Sequence, residues 1–129
     1  MNTDEKDKTR LNAISERIIG AAFTVSNTFG VGFLEKNYEN ALTHEMRKNG
    51  LSVAQQHRMS VVYDNVVVGE YTADLLVESQ ILVELKAVNA LDSAHTAQCL
   101  NYMKATGIPL CLLLNFGRAR LEIKRLVWG

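Results

Sequence analysis

The nine residues Ile108–Phe116 (IPLCLLLNF) are apolar on both alternating sides, and they follow a segment of helical period. A strand of that composition is buried on both faces, as happens where a crossover helix feeds a sheet covered by helices on each side. Asp92 or Ser93 caps the predicted helix, which runs to about Thr106 and closes at Gly107. Upstream of it, Ile81–Ala87 alternates with period two. A helix between two strands of one sheet implies a parallel, right-handed connection. The sheet is therefore mixed, and a chain like this has few folds open to it outside the α/β class.

The remaining periodicity fills in the order. Leu11, Ile14, Ile18, Ala21, Ala22 and Val25 recur at three and four, so a helix is predicted from about Thr9 or Arg10. Gly30 and Gly32 break it, and a second helix is expected over Leu34–Lys48, stopped by Asn49-Gly50. Tyr38, Ala41, Leu42, Glu45 and Met46 hold its inward period. After Gly50 the period falls to two. Short strands are predicted at Leu51–Gln55, Ser60–Tyr63, Val66–Gly69, Tyr71–Glu78 and Ile81–Ala87, with Asp64-Asn65 as a hairpin turn. Leu121–Val127 alternates loosely as a last strand.

With 129 residues, 47% apolar and 22% charged, the chain fits one globular domain and excludes collagen-like and disordered classes. Residues 1–9 are expected to be a flexible N-terminus and 10–129 a single folded domain. No apolar run approaches the roughly 20 residues that a membrane-crossing helix needs. The mixed-charge start MNTDEKDKTR has no signal-like apolar region. Cys99 and Cys111 match neither metal-ligand nor disulfide spacing, so buried reduced thiols in a cytoplasmic protein are expected. Net charge is zero, which argues against a uniformly basic nucleic-acid-binding surface. Its distribution is uneven. Residues 1–59 carry eight basic and seven acidic side chains, residues 60–100 one and six, and residues 101–129 five and one. An acidic middle beside a basic tail is compatible with a cation site next to an anion-binding surface, and equally with chance.

The strand pair at 71–78 and 81–87 carries the chemistry. If Glu78-Ser79-Gln80 is a three-residue loop, Leu75 faces Val83, Asp74 faces Glu84 and Thr72 faces Lys86. Cross-strand partners share a face. Asp74, Glu84 and Lys86 then cluster on one side, while Ala73, Leu75, Val77, Ile81, Val83 and Leu85 fill the other. A two-residue loop would put Asp74 opposite Leu85 and scatter the cluster. Opposed carboxylates repel, and a hard divalent cation such as Mg²⁺ or Mn²⁺ would resolve the repulsion. A lysine two residues along can hold a phosphate or orient a water, which completes the inventory for metal-assisted phosphodiester hydrolysis. The bland alternative is a solvated, charged strand face.

Asp74 followed by Glu84-Leu85-Lys86, in consecutive strands and then a helix, resembles the signature of the PD-(D/E)xK nuclease superfamily. The closer resemblance is to the small bacterial and archaeal GxxExxY group, whose naming motif reads here Gly32-Phe33-Leu34-Glu35-Lys36-Asn37-Tyr38. The runs Gly69–Asp74, Val83–Val88, Ala97-Gln98 with Asn101-Tyr102, and Asn115-Phe116-Gly117 are similar to that group as well. The resemblance spans about residues 14–127. It implies a restriction-endonuclease-like α/β/α sandwich: a central mixed sheet, an αβββαβ core and an extra N-terminal helix. It implies a nuclease using Mg²⁺ or Mn²⁺, with DNA favoured as substrate. Asp74 and Glu84 would be metal ligands, with the carbonyl of Leu85 and, from the second helix, Glu35. Lys86 would contact the scissile phosphate or the water, and Gln98 would orient one of them. Ala73 stands where the superfamily's name has proline.

Each of these residues also has a plainer explanation. Glu35 favours a helix N-terminus. Gln98 suits an exposed helix face, and Tyr38 suits the core with its hydroxyl tethered. Gly30 and Gly32 serve backbone geometry. His44, His57 and His95 have no ligand spacing, although His95 lies one turn before Gln98. Arg118, Arg120, Lys124 and Arg125 either touch a phosphate backbone or protect an edge strand. At this size a homodimer would pair two sites and two basic tails. The alternative function is a catalytically silent nuclease-like fold that serves as a nucleic-acid-binding or assembly module.

Overall fold

The computed structural model describes the backbone of residues 3–128 and the side chains of residues 5–128. Its elements are α1 (Thr3–Phe29), α2 (Glu35–Lys48), β1 (Val53–Tyr63), β2 (Val66–Val77), β3 (Ile81–Lys86), α3 (Ser93–Thr106), β4 (Leu110–Asn115) and β5 (Glu122–Val127). The strands form one sheet in the order β1-β2-β3-β4-β5. Only β3 and β4, joined through α3, run parallel; the other neighbours are antiparallel.

Two apolar clusters flank this sheet. On one face Ile14, Ile18 and Val25 of α1 and Tyr38, Leu42 and Met46 of α2 pack on Val83, Leu85, Leu112 and Leu114. On the other, Cys99 and Met103 of α3 pack on Leu82, Cys111 and Leu113. β4 is buried along its whole length because it feeds both clusters in alternation. The result is the restriction-endonuclease-like α/β/α sandwich that the resemblance implied. Both cysteines are free and buried. Among the described residues no helix is long and apolar enough to cross a membrane.

The structure differs from the sequence expectations in three places. First, α1 begins at Thr3, well before Thr9. Glu5–Arg10 are all exposed, so this turn has no apolar stripe to read; the Thr9 hydroxyl bonds the Glu5 carbonyl within it at 2.9 Å. Met1 and Asn2, part of the expected flexible terminus, lie outside the described residues. Second, the short strands fuse into two long ones, and β1 and β2 form an arm turning at Asp64 and Asn65 (φ 51° and 62°). The polar run Gln55–Arg58 hides the continuity, because this part of the hairpin is only half covered.

The third difference concerns β2. Its alternation does not hold from end to end. Leu75 and Val77 belong to the α1/α2 cluster, yet Tyr71 and Ala73 belong to the α3 cluster. Ala73 is therefore not on the face expected for it. The strand changes sides at Asp74. The β1 residue at that level is Gln56, flanked by the pairs Gln55↔Leu75 and His57↔Ala73, and it has φ of 49°. A non-glycine residue in the left-handed region reverses the pleat locally.

Candidate active site

The β2–β3 register is the one that a three-residue loop gives: Val77↔Ile81, Leu76↔Leu82 and Leu75↔Val83. Backbone pairing ends there, one residue short of Asp74 and Glu84. Side chains take over from the ladder. The Leu85 amide donates to Asp74 Oδ2 at 2.9 Å, and the Asp74 amide reaches Glu84 Oε1 at 3.4 Å. The two strands thus part at the level of the two acids.

Glu84, like Asp74, is half-buried. Burial, and then the charge of Asp74, push its carboxyl up to about 8, although a hydrogen bond from Tyr71 opposes the shift. The Tyr71 hydroxyl donates to Glu84 Oε1. Burial, and then the Glu84 charge, hold the Tyr71 hydroxyl far above its ordinary pKa, so it remains a donor. Tyr71, Glu84, Lys86, His95, Gln98 and Tyr102 line one narrow crevice between β3 and α3. Lys86 arrives there by period two from Glu84. Gln98 arrives on α3, with its amide donating to the Tyr102 hydroxyl at 3.2 Å.

Helix α3 is fixed at its start by a capping box. Asp92 Oδ1 accepts from the His95 amide at 3.1 Å, and His95 Nδ1 accepts from the Asp92 amide at 3.2 Å. The loop before it is stapled by Asn115, which is fully buried at the end of β4. The Asn115 side chain accepts from the Val88 and Gly117 amides and donates to the Val88 carbonyl and Glu122, all at 3.0 Å. Gly117 lies so close to this loop that a Cβ would stand 2.2 Å from the Val88 carbonyl oxygen.

Helix α2 approaches from the opposite face. Glu35 starts it, and its carboxyl is raised by burial and then by the charge of Asp74, with Lys86 acting in the opposite direction. It therefore lies within Coulombic reach of both. Glu39, one turn on, is 4% exposed and accepts from Lys36, Gln55 and Gln56; Gln56 also extends toward Asp74 Oδ1 at 3.4 Å. The Tyr38 hydroxyl donates to the Gly30 carbonyl at 2.6 Å and its ring stacks on Phe116, so it is a core residue tethering the Gly30–Gly32 bend. Gly30 and Gly32 take φ of 68° and 105° there.

The donor set suits a hard cation: two carboxylates held against mutual repulsion, next to a backbone carbonyl at Leu85. Among the described residues, no three His, Cys, Asp or Glu side chains converge on one point, so Glu35 stands beside the Asp74–Glu84 pair and does not complete a triad. The basic tail is not gathered in one place. Arg118 and Arg120 are exposed on the β4–β5 loop, at the end of the sheet where Lys86 lies. Lys124 and Arg125 sit further back along β5, and Arg125 bonds Asn12 of α1.

Sequence reasoning passed over Tyr71, Gln56, Glu39 and Asn115. Asn115 carried a signal, since a polar residue inside a wholly apolar strand is buried only when its hydrogen bonds are met. Tyr71 carried one only through its place in the run Gly69–Asp74, because strict alternation puts it on the other face.

A family profile described as the PD-(D/E)XK nuclease superfamily matches residues 12–126. No curated protein and no solved structure matches the chain.

Proposed function

The chain belongs to the PD-(D/E)XK nuclease superfamily, and from that premise we propose that it hydrolyses phosphodiester bonds of nucleic acid, DNA in preference to RNA, at the Asp74–Glu84 pair and the crevice that Glu84 shares with Lys86. Within the superfamily we assign it to the GxxExxY group, on the run Gly32–Tyr38 and the further runs that accompany it. One observation supports the proposal: β2 and β3 part just beyond Leu75↔Val83, where the Asp74 carboxylate accepts from the Leu85 amide and the Asp74 amide reaches Glu84, and Glu84 and Lys86 line one crevice. A sheet gains no stability from opposing two acids at an unpaired position, and charged groups gathered at that expense belong to function.

Asp74, Glu84 and the Leu85 carbonyl would hold Mg²⁺ or Mn²⁺, with Glu35 adding negative charge beside them. Such an ion, when bound, polarises a phosphate and lowers the pKa of a water. The protein's own groups do the rest. The Lys86 ammonium binds the phosphate and stabilises the charge that grows on it during attack. The Gln98 amide orients phosphate or water from the α3 side. Arg118 and Arg120 would follow the backbone past the site, with Lys124 and Arg125 as separate contacts further back on β5. A homodimer would supply two such sites to a duplex.

The test is cleavage of a labelled panel of duplex DNA, single-stranded DNA and RNA with Mg²⁺ or Mn²⁺, with Glu84→Ala and Lys86→Ala beside the parent. Cleavage by the parent alone is expected. A parent that binds these substrates and cuts none of them would make the fold a binding module.

A further inference from the structure

We propose that Tyr71 is a positioning residue for Glu84, through a connection that runs from α3 to the carboxylate. This rests on the nuclease reading of the site. Tyr71 lies three residues before Asp74 and would face away from the crevice if β2 alternated without interruption. The side change at Asp74, opposite the left-handed Gln56, brings it to the α3 face. Backbone in that region is held against its own preference and is found where the surrounding structure requires it. One consequence here is that a buried tyrosine, 7% exposed, donates its hydroxyl to Glu84 Oε1.

The ring is fixed as firmly as the hydroxyl. Tyr71 stacks flat on Tyr102, with ring centroids 3.4 Å apart and planes 14° apart. The Tyr102 hydroxyl accepts from Gln98. Gln98, Tyr102, Tyr71 and Glu84 thus form one line from the surface of α3 to the carboxylate. The bonds from the Tyr71 hydroxyl and from the Asp74 amide both fall on Oε1. Tyr71 therefore holds Oε1 and fixes the rotation of the carboxylate that would face a cation. Groups that orient a ligand in this way change metal affinity by about 10- to 100-fold when removed.

The experiment titrates Mn²⁺ alone into the full chain and follows the free-ion electron paramagnetic resonance signal. Parent, Tyr71→Phe, Tyr102→Ala and Glu84→Ala are compared, each with its Tm. Tyr71→Phe keeps the ring and loses only the donor. It is expected to weaken Mn²⁺ binding about 10-fold or more, with KM for DNA at the parent value. Tyr102→Ala, which frees the ring but keeps the hydroxyl, should weaken binding in the same direction. Glu84→Ala should bind no Mn²⁺ at this site. Tyr71→Phe binding Mn²⁺ like the parent, while Glu84→Ala does not, overturns the role of Tyr71 and leaves the nuclease reading standing. Should Tyr71→Phe not fold, a parent-like midpoint in Tyr102→Ala overturns it equally. A parent that binds no Mn²⁺ through Asp74 and Glu84 overturns both.

Discussion

The two faces of the sheet are built on different terms. Among the described residues, the α1/α2 face gathers twenty buried apolar side chains and the α3 face seven. The thick face includes Leu85, Leu112 and Leu114, all fully buried. The thin face has a crevice in place of further core, and Glu84, Lys86 and Gln98 line it. Apolar burial stabilises in proportion to area, so most of the stability is expected to come from the first face. The second trades apolar area for charged and hydrogen-bonded groups. A fold that bears a reactive site needs one face that tolerates a buried acid, and the other face offsets that cost.

Mutations should separate the two faces. Leu112→Ala empties a fully buried position between α1/α2 and the sheet, and should cost about 2–5 kcal/mol in chemical denaturation while the folded fraction keeps its cleavage rate. The α3 face should instead reveal itself through pH. Glu84 titrates near 8 in the metal-free fold and near 4.5 as a free side chain. The folded state therefore holds the proton more tightly, and stability falls as pH rises from about 4.5 through about 8, by an amount on the order of a few kcal/mol. Glu84→Gln should flatten that slope in denaturation curves measured across the window.

Gly117→Ala tests the seam behind the crevice. A methyl group there would overlap Val88, and overpacking of this kind costs about 1–3 kcal/mol. Because the displaced loop leads from Lys86 to α3, cleavage should fall together with Tm. The smallest effect is expected at the start of α3. Asp92→Ala removes the cap that accepts from the His95 amide, at a cost of about 1 kcal/mol in Tm-derived stability. A wholly unchanged Tm would mean that the capping box contributes nothing to the α3 face.

The thick face was the more legible in sequence. Ile14, Ile18, Ala21, Ala22 and Val25 all lie in the cluster that their spacing indicated, because a helix packed on one side writes its burial into its period. Strand β4 was readable because burial on both faces leaves a continuous apolar run. The β2–β3 register from Val77↔Ile81 to Leu75↔Val83 followed from loop length alone; beyond it the side chains of Asp74 and Glu84 make the contacts. What could not be read depends on one local departure. Gln56 is a polar residue in a polar run, and nothing in that run announces a left-handed backbone. Without it Tyr71 and Ala73 fall on the wrong face, and the hydrogen-bond partner of Glu84 is lost from view. The polar first turn of α1 was missed for the opposite reason: Glu5–Arg10 are all exposed, so burial writes no pattern there.

The most direct measurement pairs Lys86→Ala with Leu112→Ala, determining for each both the Tm and the cleavage rate per folded molecule on the best substrate of the panel. Lys86→Ala should keep a Tm near that of the parent and lose about 10²- to 10³-fold in rate. Leu112→Ala should do the reverse. A Lys86→Ala protein that cuts at the parent rate would contradict the assignment of the crevice as the nuclease site.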